Sequence, residues 1–259
     1  MNLLRPLRHA LSLLTRLPVA PPAHASATQG YDRDLGRALW FFPWVGLLLG
    51  GILLGMAWGL QNVPPGLMAW FTGGLHLDGV ADMADGLGGS RGAPQRALTI
   101  MKDSRVGALG VVALVITLGL KQQILSLLLQ QQAWVALTLG PWAARLAVVA
   151  LVVGYPPAQS SGLAHGLHQV SRKRDVVWAG LLGVALAVAM FWHPLQTFWP
   201  ELGWRLSIAL GVAIMMALMV GLWAWRRLGG VNGDVYGAAV EWAEISFWGA
   251  FYFSGKSDI

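Results

Sequence analysis

Seven apolar stretches, at about 39–60, 67–82, 109–129, 134–153, 176–192, 206–225 and 236–253, fill most of this 259-residue chain. Each comes close to the roughly 20 residues that a helix needs to cross a bilayer. Apolar residues make up 56% of the sequence and charged ones only 12%, far from the balance of a water-soluble domain. The expected fold is all-α, a polytopic transmembrane helix bundle of about six or seven spans with an N-terminal interfacial helix. It forms a single domain over residues 1–259, because the loops left between the spans are too short for a second one.

Within residues 1–19, Arg5, Arg8 and Arg16 stand among Leu3, Leu4, Leu7, Leu11 and Leu14 at helical spacing, which predicts the interfacial helix. A secretory signal would need a longer unbroken apolar core and a small-residue cleavage site. Positive charge orients the bundle. Arginines precede the first span, Arg91, Arg96, Lys102 and Arg105 follow the second, Arg172, Lys173 and Arg174 follow the fourth, and Arg226 and Arg227 precede the last, whereas 61–65, 130–132 and 193–205 carry only Arg205. The positive-inside rule then puts the N-terminus and both acid-rich segments on the cytoplasmic face. The net charge of +6 serves topology and anionic headgroups in such a chain, so the lipid bilayer and not nucleic acid is the expected partner.

The acids are concentrated. Of twelve Asp and Glu, Asp78, Asp82, Asp85 and Asp103 lie in one Gly-rich segment, and Asp234, Glu241 and Glu244 in another about 130 to 160 residues later. In a helix Asp78, Asp82 and Asp85 stand at i, i+4 and i+7 and share one stripe. Such hard oxygen ligands suit Mg²⁺, which binds through a few carboxylates together with water and substrate phosphate. Asp234, Glu241 and Glu244 form a second stripe, and the last two lie inside an apolar span, where a charge usually faces the bundle interior. The alternative for that pair is a structural ion pair, with Lys121 and Arg145 as the intramembrane cations available for it. Arg91, Lys102 and Arg105 are the natural phosphate partners. His165 and His168 read as exposed loop residues.

The chain has no cysteine, no GxSxG elbow, no HExxH and no Walker lysine loop, so thiolate, serine-hydrolase, zincin and P-loop chemistry have no support. Metal-assisted phosphoryl or pyrophosphate chemistry at a membrane surface is the class that remains.

Three runs carry a closer resemblance. Thr72-Gly-Gly-Leu-His-Leu-Asp-Gly-Val-Ala-Asp-Met-Ala-Asp-Gly86, Met101-Lys-Asp-Ser-Arg-Val-Gly107 and Gly229-Gly-Val-Asn-Gly-Asp-Val-Tyr-Gly-Ala-Ala-Val-Glu241 resemble the cobalamin synthase family, the adenosylcobinamide-GDP ribazoletransferases. Leu14-Thr-Arg-Leu-Pro-Val19 and the run from Phe42 to Gly50 also look like that family, while 130–225 match mainly in hydropathy. The resemblance implies an enzyme of the bacterial inner membrane whose site faces the cytoplasm. It would join adenosylcobinamide-GDP to α-ribazole or α-ribazole 5′-phosphate, release GMP and so complete the nucleotide loop of vitamin B12. It implies Mg²⁺ on Asp78, Asp82 and Asp85, attack by the ribazole 3′-hydroxyl on the cobinamide-linked phosphorus, and charge neutralisation by the metal, Lys102 and Arg105. Asp82, Asp103, Asp234 and Glu241 form the implied catalytic set, the last three as candidates to accept the hydroxyl proton or hold a second metal. His76, Arg91, Lys102, Ser104, Arg105, Asn232 and Glu244 form the implied substrate-binding set. Asn232 stands where the family often has threonine. A homo-oligomer, or a complex with other nucleotide-loop enzymes, is admitted as a further partnership.

Two other readings compete. A membrane transferase of CDP-alcohol or prenyl type also sets spaced aspartates beside Mg²⁺ and a diphosphate, but its pattern has Ala-Arg after the first Asp-Gly where this chain has Val80-Ala81-Asp82. A cation transporter would carry its ion on Glu241 and Glu244.

Overall fold

A computed structural model describes residues 3–19, 33–60 and 70–255. The helices are α1 (Leu4–Leu14), α2 (Arg33–Ala38), α3 (Phe42–Leu60), α4 (Leu75–Gly89), α5 (Pro94–Ile100), α6 (Ala108–Gln130), α7 (Trp134–Gly154), α8 (Leu163–Val170), α9 (Lys173–Leu228) and α10 (Gly233–Ser254), with a 3₁₀ turn at Leu39–Phe41. There is no β-strand among the described residues, and the fold is an all-α bundle. Helix α1 is amphipathic as its arginine and leucine spacing predicts, burying Pro6, His9, Ala10 and Leu14.

Helix α7 is the centre. It is apolar on every side apart from Thr138 and Arg145, buried along most of its length from Ala136 to Val152, and packed by α3, α9 and α10. Its contact with α3 depends on missing side chains. Gly46 faces the backbone at Pro141 and Gly50 the backbone at Thr138, so a methyl at either would overlap a main chain. Gly51 and Gly55, on the other side of α3, face open space.

Four helical stretches are long and apolar enough to cross a membrane: Asp34–Gly59, Ala108–Gln130, Trp134–Gly154 and Glu201–Leu228. The stretches 67–82, 176–192 and 236–253 are not among them. The first begins in residues that are not described and carries Asp78 and Asp82, and the last carries Glu241 and Glu244. The connection expected at 193–205 is instead helical, within the single assignment of α9. A straight helix would separate Gly183 from Gly221 by about 57 Å. Yet Gly183 lies against Trp142 and Gly221 against Leu151 and Tyr155, under four turns or about 20 Å away along α7. Helix α9 therefore doubles back, and Pro194 and Pro200 each remove a backbone donor from the intervening stretch.

One end of the bundle collects the connections. A backbone bridge joins Pro157 to Val231, Gly36 abuts Val170, and His168 meets the Val152 carbonyl at 3.2 Å. Helix α4 runs antiparallel to the first turns of α10 at this same end.

Candidate active site

The site starts with two glycines. Gly79 of α4 faces the main chain of Asp234, and a Cβ on Gly237 of α10 would lie 3.1 Å from the His76 Cα. With no side chain on either helix at the crossing, the backbones touch. That contact brings Asp78 and Asp82, one helical turn apart on α4, against the first turn of α10, where Asp234 sits. The two acid-rich segments do converge at this point. Helix α4 begins abruptly because Gly73 and Gly74 both take the left-handed backbone, with φ of 68° and 71°, which glycine adopts without strain.

Three carboxylates at the crossing have distinct surroundings. Asp78 is exposed and Asp82 half-buried, and neither side chain makes a hydrogen bond or ion pair with any described residue. Asp234 accepts a 2.9 Å hydrogen bond from Asn232 Nδ2. Helix α4 is not one of the four spans, and Asp234 precedes the apolar part of α10. Burial, then the charges of Asp78, Asp234 and Asp85, push the Asp82 carboxyl up to about 7. Burial and the Asp78 charge raise Asp234 to about 6 against the opposing effect of the Asn232 hydrogen bond. These acids repel one another, and no Lys or Arg among the described residues pairs with them.

The remaining expected residues are placed otherwise. Asp85 accepts backbone N–H groups from Gly107 at 2.6 Å and Gly110 at 2.8 Å, so it stabilises the positive end of α6 and anchors the basic loop one turn from Asp82. Asp85→Ala is expected to cost about 2 kcal/mol of stability, the scale of losing charged acceptance of helix-end donors. Thermal melting checks this, and an unchanged melting temperature would count against the anchor. Asn232 is the N-cap of α10: its Oδ1 accepts from the Val235 N–H at 3.0 Å, and its amide holds Asp234. Threonine at this position would serve as an N-cap as well.

In the loop, Arg105 is bidentate to Asp103, with Nη2 2.6 Å from Oδ2 and Nε 3.0 Å from Oδ1. The Arg105 side-chain hydrogen bonds, then its backbone N–H, pull the Asp103 carboxyl down to about 2, which makes it a poor proton acceptor near neutrality. The pair is on the surface, where such bridges are weak and exchange readily with a stronger anion. Lys102 and Ser104 are exposed beside it, and Arg91 is exposed in the turn after α4 with φ of 52°. Arg91 makes no hydrogen bond or ion pair among the described residues.

Glu241 and Glu244 point inward, about two to three turns beyond Asp234 along α10. Lys121 Nζ lies 2.7 Å from Glu241 Oε2 and 2.6 Å from Glu244 Oε2, while Arg145 pairs with Glu244 Oε1. The Arg145 guanidinium also faces His76 Nδ1 at 3.4 Å. All five side chains are buried. Two cations balance two carboxylates, and His76 links this network to the acids above it, since it precedes Asp78 on α4. The intramembrane cations foreseen as ion-pair partners take that part, and the geometry places Glu241, Glu244 and His76 in a buried charge cluster.

Among the described residues no three His, Asp or Glu side chains are gathered around one point as a preformed metal cage. The donor set still fits Mg²⁺, which prefers one or two carboxylates completed by water and substrate phosphates to a dedicated protein cage. Asp78 and Asp82 offer unpaired hard oxygens in such an arrangement.

Fold and site together define a helical-bundle protein of membrane-spanning composition with a carboxylate site at one end suited to phosphoryl chemistry. A family model described as cobalamin-5-phosphate synthase matches residues 6–252, and the chain belongs to that family. An adenosylcobinamide-GDP ribazoletransferase of Pseudomonas aeruginosa is 38% identical, covering 94% of this chain and 96% of the relative. Proteins of the same name from Geotalea daltonii and Roseiflexus sp. are 38% and 36% identical over 83% and 93% of this chain, and over 85% and 86% of their own lengths. No solved structure matches the chain.

Proposed function

We propose that this chain is a membrane-embedded adenosylcobinamide-GDP ribazoletransferase that joins the cobinamide-linked phosphate of its activated corrinoid to α-ribazole, or to α-ribazole 5′-phosphate, with release of GMP. The observation that carries the reading is the meeting of Asp78 and Asp82 with Asp234 across the Gly79–Gly237 contact, in a chain of this family. Asp78 and Asp82 would hold Mg²⁺, whose chemistry here is neutralisation of the diphosphate charge and polarisation of the phosphorus under attack. Lys102 and Arg105 supply donors to the phosphate oxygens, Arg105 exchanging its exposed Asp103 partner for the substrate. Asp234 is the best-placed proton acceptor. Its carboxyl, near 6, is mostly ionised at neutral pH yet far more basic than an ordinary aspartate, and Asn232 fixes its orientation. The site is taken to face the cytoplasm, where the positive loops would lie.

The transporter reading loses its support, because the intramembrane acids are each bound to a buried cation. The direct test is GMP release by the purified chain in nanodiscs given adenosylcobinamide-GDP and α-ribazole. Release without corrinoid–ribazole coupling, or none at all, would overturn the assignment.

The acids also predict a pH signature. Asp82 and Asp234 have raised pKa values, so the stability they contribute is present below about pH 4 and is lost as pH rises through 6 to 7. A bound divalent cation needs the ionised forms. Mg²⁺ is therefore expected to raise the melting temperature clearly at pH 8 and much less at pH 5.5. Equal shifts at both values would remove Asp82 from the metal site.

A further inference from the structure

One ring of the buried charge cluster is only half used. The Arg145 guanidinium faces Nδ1 of His76, and a guanidinium offers donors alone, so Nδ1 accepts and the ring proton sits on Nε2. That Nε2–H makes no hydrogen bond with any described residue. It keeps an accessible edge all the same, although His76 as a whole is only 3% exposed. A donor left idle at so buried a position costs free energy unless a ligand completes it. His76 lines a cavity of about 110 Å³ between α1, α4, α7, α8 and α10, and Asp234 lines the same cavity. The two acids and bases of this lining are close along the chain: Gly237, which abuts the His76 backbone, is three residues or about 4.5 Å of rise beyond Asp234 on α10. No Lys or Arg lines the cavity and a carboxylate does, so a phosphate is repelled there and a neutral group is not. Its volume is below the roughly 150 Å³ that holds one benzene, which leaves room for the hydroxyl-bearing edge of a sugar but not for a base or a corrin.

We propose that His76 binds the acceptor ribose: its Nε2–H donates to the 2′-hydroxyl oxygen while the neighbouring 3′-hydroxyl meets Asp234, and Arg145 positions the ring for this by holding Nδ1. The proposal rests on the ribazoletransferase reading and deepens it. A pair of adjacent hydroxyls matches the pair of groups in the lining, since one oxygen takes the idle donor and the other hydroxyl gives its proton to the carboxylate. The buried charge cluster thereby acquires a part in recognition. Lys121 and Arg145 share Glu244, and Arg145 in turn holds the imidazole in one tautomer.

Steady-state GMP release with corrinoid and nucleoside varied separately, together with thermal melting of the same preparations, tests this. His76→Asn keeps an acceptor for Arg145 and removes the Nε2–H. It is expected to melt near the wild type and to raise the α-ribazole KM about tenfold, the scale of one hydrogen bond, with the corrinoid KM nearly unchanged. His76→Gln carries an amide N–H out to the position of Nε2 but leaves Arg145 without its acceptor, so it should show the reverse, a lower melting temperature with a nucleoside KM close to that of the wild type. The 2′-deoxy analogue of α-ribazole needs no variant: the wild type should use it with a KM about tenfold higher, and His76→Asn should leave that value where it is. Equal KM values for the two nucleosides on the wild type, or a deoxy KM that rises with His76→Asn, would overturn the contact and leave the cavity to water. A nucleoside KM that follows the melting temperature across the two variants would overturn it too, and would make His76 a packing residue. Absence of GMP release from the wild type would sink the ribazoletransferase reading itself; normal release with equal KM values would remove only this contact.

Discussion

Replacement of Asp82 by asparagine is expected to lower turnover by about 10²- to 10⁴-fold, the range typical of losing a catalytic charge or proton-transfer group, while making the protein more stable at neutral pH. The two effects share one cause. Asp82 is half-buried among Asp78, Asp234 and Asp85 and has no cationic partner among the described residues, so its charge is held against repulsion. Asparagine keeps the shape and removes the charge, which relieves the folded state and would deprive the diphosphate of the counter-ion site proposed for it. Kinetics of GMP release and thermal melting of the same preparation report the pair of effects. A variant that loses activity together with stability would instead mark Asp82 as a packing residue.

The second large effect belongs to the buried charge cluster. Arg145→Met should cost about 3–5 kcal/mol, because Glu244 is left buried and sharing Lys121 with Glu241. Against a typical total of about 5–15 kcal/mol, that loss should show as a sharp fall in folded yield. Glu241→Gln should fail in the same way and to a smaller degree, with near-normal kinetics in the molecules that fold. Pairing Arg145→Met with Glu244→Gln should recover part of the loss by removing the orphaned charge. Folded yield by size-exclusion chromatography and melting in nanodiscs check these expectations. A folded, stable Glu241→Gln protein with turnover down tenfold would return Glu241 to the chemistry.

Much of this arrangement is legible in the sequence because it depends on short-range pattern. Hydropathy gives the all-α bundle, the i, i+4 spacing gives the Asp78–Asp82 stripe, and the Gly46–Gly50–Gly51–Gly55 run suits close helix packing. What hydropathy cannot give is which face of a helix meets which neighbour. Gly51 and Gly55 look the same as Gly46 and Gly50 in the sequence, yet only the latter pair is pressed against α7. Glu241 and Asp234 lie on one stripe of α10, but seven residues of rise carry the first into the apolar interior, where Lys121 waits, and leave the second at the polar end. Asp85 shares the spacing of its two neighbours and is diverted by the start of α6, a long-range contact with no local signature. The doubling back of α9 was foreseen as two spans, but helical backbone continues where polar and proline residues suggest a loop.

The central claim is that Asp82 and Asp234, brought from segments about 150 residues apart, act on one substrate in one site. A double-mutant cycle on GMP release, comparing Asp82→Asn, Asp234→Asn and the double variant at saturating Mg²⁺, measures this directly. If the two carboxylates work as a unit, the double variant should be about as slow as the slower single variant, because the second loss removes a group that has already lost its function. Losses that multiply across the two positions would mean that the carboxylates act independently, and would contradict the shared site.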